Sequence, residues 1–290
     1  MNKINRFILS FGAACLLFSC QNTKETSQSA DTTFSDTLRI VSLNGTVSEI
    51  ISELGLEDQI VGTDVASTYP ASMNSKPKVG HNKKVPVEGV MALNPNLIIG
   101  TKQEVNPETI EQFKQAGIRT VLFDQEYSVE GTRKLIKGVS DSLKLTQRGD
   151  SLIGSFDKAM ETVSSYGSES KKPKVLFIYA RGAGTMMVGG TGTQVDKVIE
   201  LAGGINVAKD FTDYKPLTPE ALVAYNPDVI LLFSSGLSSL GNETGMMNIQ
   251  GVKETNAGRN KKIIAMDGQL LSGFSSRLPI AIEELHSKIH

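Results

Sequence analysis

Few side chains in this 290-residue sequence could do covalent or metal chemistry, and their spacing narrows the field further. Histidine occurs only at 81, 286 and 290, and cysteine only at 15 and 20. His286 and His290 stand four apart on an expected C-terminal helix, which suits weak metal binding. A zinc or manganese site needs three or four ligands, typically several histidines. Gly182-x-Gly184 and Gly189-Gly-Thr-Gly192 precede a helix at Val195 and could present backbone N–H groups to a phosphate. Neither matches a Walker or dinucleotide fingerprint, because the Lys-Ser/Thr pair and the full glycine spacing are absent. No Gly-x-Ser-x-Gly elbow with a histidine partner occurs. The expectation is no enzyme; the glycines suit close approach of backbone to a flat ligand. Tyr69 in Ser67-Thr68-Tyr69-Pro70 reads by itself as a turn with a half-buried ring, and Arg181 and Arg277 fall at expected strand ends. A guanidinium there can hold a carboxylate through two parallel hydrogen bonds.

The amino-terminal residues speak to compartment. Lys3 and Arg6 form a positive segment, and the apolar run from Phe7 to Phe18 is too short to span a bilayer. It ends in Leu17-Phe18-Ser19-Cys20, which resembles the bacterial lipobox, so residues 1–19 read as a signal peptide and Cys20 as the acylated first residue of the mature chain. Residues 20–37 are polar and read as a flexible tether. With Cys15 removed and Cys20 carrying lipid, the folded body has no thiol, hence no disulfide framework and no cysteine nucleophile. Removal of residues 1–19 takes away Lys3 and Arg6 and no acid, moving the net charge from −1 to −3. Such a balance offers no basic stripe for nucleic acid.

The body repeats itself. Arg39 to Leu43 reads as a buried strand, followed by a helix with apolar residues at 47, 50, 51 and 54. Lys174 to Tyr179 and Val195 to Gly203 form a second such pair. Glu88-Gly-Val-Met-Ala-Leu-Asn-Pro-Asn-Leu-Ile-Ile-Gly100 matches Glu220-Ala-Leu-Val-Ala-Tyr-Asn-Pro-Asp-Val-Ile-Leu-Leu232. Each copy is a short helix, an Asn-Pro break and a buried strand, the proline ending the helix and pushing the asparagine toward an extended conformation. Strands alternating with helices predict an α/β fold of two lobes, each a mainly parallel sheet flanked by helices. The expected lobes are 38–127 and 173–290, with a helical connector over 128–172. Apolar spacing at Leu152, Ile153, Phe156, Met160 and Val163 predicts a long helix joining them. Ligands of such folds bind in the crevice at the carboxyl ends of the strands.

Over essentially the whole body the chain resembles the helical-backbone periplasmic substrate-binding proteins of ABC importers, which carry haem, cobalamin or siderophores. It is most similar to the haem-binding members. The resemblance rests on Gly62-Thr-Asp-Val-Ala-Ser-Thr-Tyr-Pro70, Lys78-Val-Gly80, Leu201-Ala-Gly-Gly-Ile-Asn206, Tyr214-Lys-Pro-Leu-Thr-Pro-Glu-Ala-Leu222 and Met266-Asp-Gly-Gln-Leu-Leu-Ser-Gly-Phe-Ser-Ser-Arg-Leu-Pro279. It implies that Tyr69 supplies a phenolate to ferric haem iron, a hard anionic donor for a hard cation. It implies that Arg277 and Arg181 meet the two propionates and that Phe274, Met186, Met187 and His81 face the ligand. Some relatives place a histidine of the second lobe opposite the tyrosine; this chain has none there, so a five-coordinate Tyr69 site is expected.

The same resemblance assigns Glu88 and Glu220, equivalent in the duplication, to docking on arginines of the two permease subunits, while both also suit the positive end of a helix dipole. The implied protein is a monomer that catalyses nothing, captures haem on the periplasmic side of the envelope and is tied to a membrane through Cys20. Cobalamin and ferric siderophores are the competing cargoes, the first weakened by the absence of tryptophan from the chain.

Overall fold

In the computed structural model of the chain, the described residues are 37–80, 84–168 and 170–290. The expected leader, Cys20 and all of the tether but Thr37 fall outside them, as does His81.

The first lobe alternates β1 (Ile40–Ser42), α1 (Gly45–Glu53), β2 (Ile60–Thr63), α2 (Val87–Met91), β3 (Leu97–Thr101), α3 (Pro107–Gln115) and β4 (Arg119–Phe123). Its strands pair in parallel in the order β2-β1-β3-β4. Central strands of such a sheet are buried on both faces, so they read as unbroken apolar runs. Their side chains still sort by the two-residue period: Ile40, Leu97 and Ile99 pack with α1, while Val41 and Ile98 pack with Phe113 of α3 and Val90 of α2. The α1 helix starts where Asn44 caps it, its side chain accepting a 3.1 Å bond from the Val47 amide. Val47, Ile50, Ile51 and Leu54 then form its sheet-facing stripe, as their spacing predicts.

Two helices follow β4. The first, α4 (Val129–Ser142), lays Leu135, Ile136 and Val139 on the first lobe's core. The second, α5 (Thr146–Val163), is the long joining helix that the apolar spacing predicts. Its Leu152 and Ile153 pack on the first core, and its Phe156, Met160 and Val163 on the second. The connector segment therefore holds one helix more than the spacing resolved, broken at Lys144, whose φ is +59°.

The second lobe runs β5 (Lys174–Ala180), β6 (Met186–Gly189), α6 (Gln194–Leu201), β7 (Ile205–Asn206), β8 (Tyr214–Pro216), α7 (Pro219–Tyr225), β9 (Val229–Phe233), α8 (Ser234–Ser239), α9 (Asn242–Met247), α10 (Asn256–Arg259), β10 (Ile263–Met266), α11 (Gly268–Ser272) and α12 (Leu278–Ile289). Its sheet has the order β10-β9-β5-β6-β8, with β7 beside β5. β7, β9 and β10 join in parallel, whereas β6 is antiparallel to both neighbours. The glycine-rich stretch after Tyr179 is thus a hairpin turn, closed by a 2.9 Å bond from the Arg181 amide to the Thr185 carbonyl, with Gly182 at φ +74°.

The duplicated units superimpose in role: α2 leads to β3 beside β1, and α7 leads to β9 beside β5. One local expectation is corrected. Asn94 and Asn226, before their prolines, are not extended but left-handed, at φ +48° and +40°. Proline forbids the right-handed helix to the residue before it, and asparagine tolerates the left-handed region, which ends the helix in one step.

The α5 helix is where the two cores share one element, and its buried Phe156 ring belongs to the second. Phe156→Ala is expected to lower unfolding free energy by about 3–5 kcal/mol, measured by urea denaturation.

Candidate ligand-binding site

Between the sheets lies a cleft of about 1020 Å³, walled by the carboxyl ends of strands from both lobes. The first lobe contributes the turn after β1 (Asn44 to Thr46), the loop after β2 (Asp64 to Ala66, and Thr68), and Gln125 and Tyr127 beyond β4. The second contributes Tyr179 to Arg181, Met187, Tyr214, Phe233 and the segment from Asp267 to Gln269. The lining surface is mostly apolar, with the carboxylates of Asp64, Glu104 and Asp267 around it, and Arg181 is the one cation among the described lining residues.

The loop that bears Tyr69 is tied down at both ends. Asp64 accepts from the Ala66 amide at 3.1 Å and from the Ser67 hydroxyl. Lys78 reaches under the loop and donates to Thr63 Oγ1 (3.0 Å), the Ser67 carbonyl (2.6 Å) and the Met73 carbonyl (3.0 Å). Burial pushes the Lys78 ammonium below its ordinary pKa, with nearby Asp64 opposing the shift. From the far side comes Gln269 of α11. Its Oε1 accepts from the Thr68 amide (2.7 Å), the Thr68 hydroxyl (3.0 Å) and the Tyr69 amide (3.0 Å). Its Nε2 donates to the Gly45 carbonyl at 2.9 Å. One amide side chain of the second lobe thus holds both the tyrosine loop and the start of α1.

Tyr69 itself is 40% exposed at the cleft rim, next to the lining residue Thr68. Its ring lies against the Arg277 guanidinium, 3.5 Å from centroid to Cζ, well within cation–π range. Arg277 in turn clamps Glu49 of α1 through both fork nitrogens, at 2.9 Å and 2.6 Å. Glu49 is 0% exposed and also accepts from Ser275 and, at 3.3 Å, from Gln269. Beside it Ser276 donates to Glu53 at 2.6 Å. Burial pushes the Glu53 carboxyl up, with the Ser276 bond opposing and the Glu49 charge adding to the rise.

The opposite wall is aromatic. Tyr179, at the end of β5, meets Tyr214 and Phe233 edge-on at 6.4 and 6.1 Å, and Arg181 lies over its ring at 5.5 Å. Burial pushes the Tyr214 phenol up to about 12, and the Tyr127 phenol is also raised, again by burial.

Set against the residues singled out from sequence, the geometry separates them. Arg181 and Met187 line the cleft, and Tyr69 stands at its rim. Arg277 does not line it: its Nε and Nη2 edge is taken by Glu49, and its face lies on the Tyr69 ring. Met186 alternates away from Met187 and packs into the core with Val188. Phe274 is only 2% exposed and packs on Tyr127 at 5.6 Å, so it is a core ring rather than a contact surface. Glu88 and Glu220 are exposed in the first turns of α2 and α7. His81 and Cys20 lie outside the described residues. Glu49, Gln269 and Tyr179 were missed; Glu49 lies off the apolar stripe of α1, so periodicity gave no signal for it. Among the described residues no group of three His, Cys, Asp or Glu could hold a metal ion, and no helix is long and apolar enough to cross a membrane.

Two α/β lobes joined by a long helix, with a deep cleft at the strand ends, define a two-lobed ligand-binding protein. The family model described as periplasmic binding protein matches residues 40–270, and the chain belongs to that family. Among curated proteins it is 27% identical over 256 residues to the uncharacterized ABC transporter substrate-binding lipoprotein YvrC of Bacillus subtilis, covering 87% of this chain and 80% of that protein. It is 26% identical over 217 residues to a cobalamin-binding protein of Halobacterium salinarum, covering 71% of this chain and 57% of that protein. Among solved structures it resembles the periplasmic heme-binding protein RhuT from Roseiflexus sp. RS-1, at 36% identity and a TM-score of 0.83, over 87% of this chain and 97% of that one.

Cutting one half of the Glu49–Arg277 pair leaves the other as a charge with no partner in a poorly solvated place. Glu49→Ala is expected to cost about 3–5 kcal/mol, and the double change Glu49→Leu with Arg277→Met much less. Thermal and urea unfolding of the three proteins would separate the outcomes.

Proposed function

We propose that this chain is the substrate-binding component of an ABC importer, and that its cargo is haem. The observation that carries the reading is the Tyr69 ring stacked on the Arg277 guanidinium at the cleft rim. To bind ferric iron, tyrosine must act as phenolate. A cation held on the ring face complements that anion, and because Arg277 is anchored by Glu49 it needs no rearrangement when iron arrives. Arg181, exposed and on the cleft wall, is the side chain suited to a propionate. Met187, Tyr214 and Phe233 offer apolar surface to the macrocycle. The similarity to RhuT, named as heme-binding, supports the same cargo.

Delivery follows from the outer surface. Glu88 and Glu220 occupy matching places in the two duplicated units, so they present a pseudo-symmetric pair of anions for the two permease subunits. Acylation of Cys20 keeps the protein at the periplasmic face of its membrane, in keeping with YvrC being named a lipoprotein. The boundaries 38–127, 128–172 and 173–290 remain our division of the body.

A cobalamin cargo is the second reading. It is favoured by the uncharged amide and hydroxyl groups of Asn44, Gln125, Gln194 and Ser272 on the cleft floor, which suit a ligand fringed with amides, and by the cobalamin-binding relative.

Hemin added to the whole chain in detergent is expected to give a ferric tyrosinate spectrum, and Tyr69→Ala to lose most of it. Tight cobalamin binding without hemin uptake would end the haem reading. In a reconstituted transporter, Glu88→Arg with Glu220→Arg is expected to abolish stimulation of ATP hydrolysis while hemin affinity, measured by titration, stays unchanged.

A further inference from the structure

Gln269 stands where the two lobes meet, with both ends of its amide in use. The oxygen faces donors: the Thr68 amide at 2.7 Å, the Thr68 hydroxyl at 3.0 Å and the Tyr69 amide at 3.0 Å. The nitrogen faces acceptors: the Gly45 carbonyl at 2.9 Å and Glu49 Oε2 at 3.3 Å. Turned over, the amide would set its NH2 against two backbone N–H groups and its oxygen against a carbonyl and a carboxylate. One orientation alone satisfies the site.

Room for this side chain is made by Gly45, the first residue of α1. A Cβ there would come within 3.2 Å of Gln269 Cδ and 3.3 Å of the Ala66 carbonyl oxygen, closer than ordinary van der Waals contact. The backbone of Gly45 is helical, so the site uses its missing side chain and not its conformational freedom. The Tyr69 loop shows the same fit. Asp64 and Lys78 hold Ala66, Ser67 and Met73, and Gln269 holds the two amides between them, those of Thr68 and Tyr69.

We propose that Gln269 is the positioning residue for the Tyr69 ligand, and that position 269 requires an amide. The inference rests on the haem reading of the cleft and gives a role to a residue that does not touch the iron. Fixing the Tyr69 amide fixes the direction in which its side chain leaves the backbone. Without the acceptor, these amides at an exposed rim turn to water, and the cost of ordering the loop falls on ligand binding. Methionine matches glutamine in length but offers neither hydrogen-bonding end. Glutamate keeps the oxygen for Thr68 and Tyr69 but sets a second oxygen, and a charge, against the Gly45 carbonyl and Glu49.

The test uses the whole chain in detergent as wild type, Gln269→Met, Gln269→Glu, Gly45→Ala, Tyr69→Phe and the double variant Gln269→Met with Tyr69→Phe. Each is titrated with hemin, the iron–tyrosinate vibration is read by resonance Raman spectroscopy, and circular dichroism checks the fold. Both Gln269 variants are expected to bind hemin about tenfold more weakly and to show less tyrosinate signal per hemin bound. Gly45→Ala is expected to shift both readings the same way, although alanine is the better helix former. With Tyr69→Phe already in place, Gln269→Met is expected to change affinity little, because the group it positions is gone. An equal loss of affinity with and without the Tyr69 hydroxyl, or an unchanged tyrosinate signal per hemin in Gln269→Met, overturns the proposal and leaves the haem reading intact. Wild type that takes up no hemin, or a Tyr69→Phe protein that matches it, overturns that reading and the proposal with it.

Discussion

The clamp of Arg277 on Glu49 ties together parts of the molecule that lie far apart in sequence. Glu49 belongs to the first helix of the first lobe, and Arg277 to the segment that leads into the last helix of the second. A carboxylate with 0% exposure is costly to bury, and only a close, two-point cation with further donors makes it tolerable. Ser275 and Gln269 supply those donors. The same pair therefore sets the guanidinium against the Tyr69 ring and fixes the path of the chain from α11 into α12. Remove it, and the tyrosine loses both its cation and part of its frame.

Two ties, rather than one, then govern how the lobes can move. The α5 helix is shared by both cores, and the segment from Gln269 to Arg277 crosses back to hold α1 and the Tyr69 loop. Two threonines add to this seam, Thr46 of α1 donating to the Gly273 carbonyl and Thr132 of α4 to the Phe274 carbonyl. A structure fastened at a long helix and along a seam admits small adjustments of the cleft more readily than wide hinge closure. Ligand capture in such a frame relies on groups already in place, which lowers the ordering cost of binding.

Much of the architecture was legible because it rests on periodicity. The stripe of α1, the unbroken apolar strands and the spacing from Leu152 to Val163 all appear as the residues dictate. So does the duplicated helix, Asn-Pro break and strand, although the left-handed asparagines show that proline excludes one conformation without choosing the next. The β5–β6 hairpin was hidden because Gly182 and Gly184 read equally well as a ligand loop. At the site, Tyr69 was visible from its Ser-x-Tyr-Pro setting. The task of Arg277 was not, because its partner Glu49 lies far away in sequence. Phe274 was misjudged for a related reason: whether a ring beside a glycine faces a cleft or a core depends on what packs beneath it, here Tyr127.

That distance along the chain has a consequence for how the protein comes into being. Glu49 and Arg277 are 228 residues apart, and Gln269 and the Tyr69 amide 200. The tyrosine loop is made early, but the side chains that seat it arrive only with the last stretch of polypeptide. Contacts this remote form late and slowly, since the chain must close a large loop before they repay its lost freedom. A chain stopped before α11 keeps Tyr69 but lacks the cation and the amide that present it, so the binding site is complete only once that last stretch of polypeptide is in place.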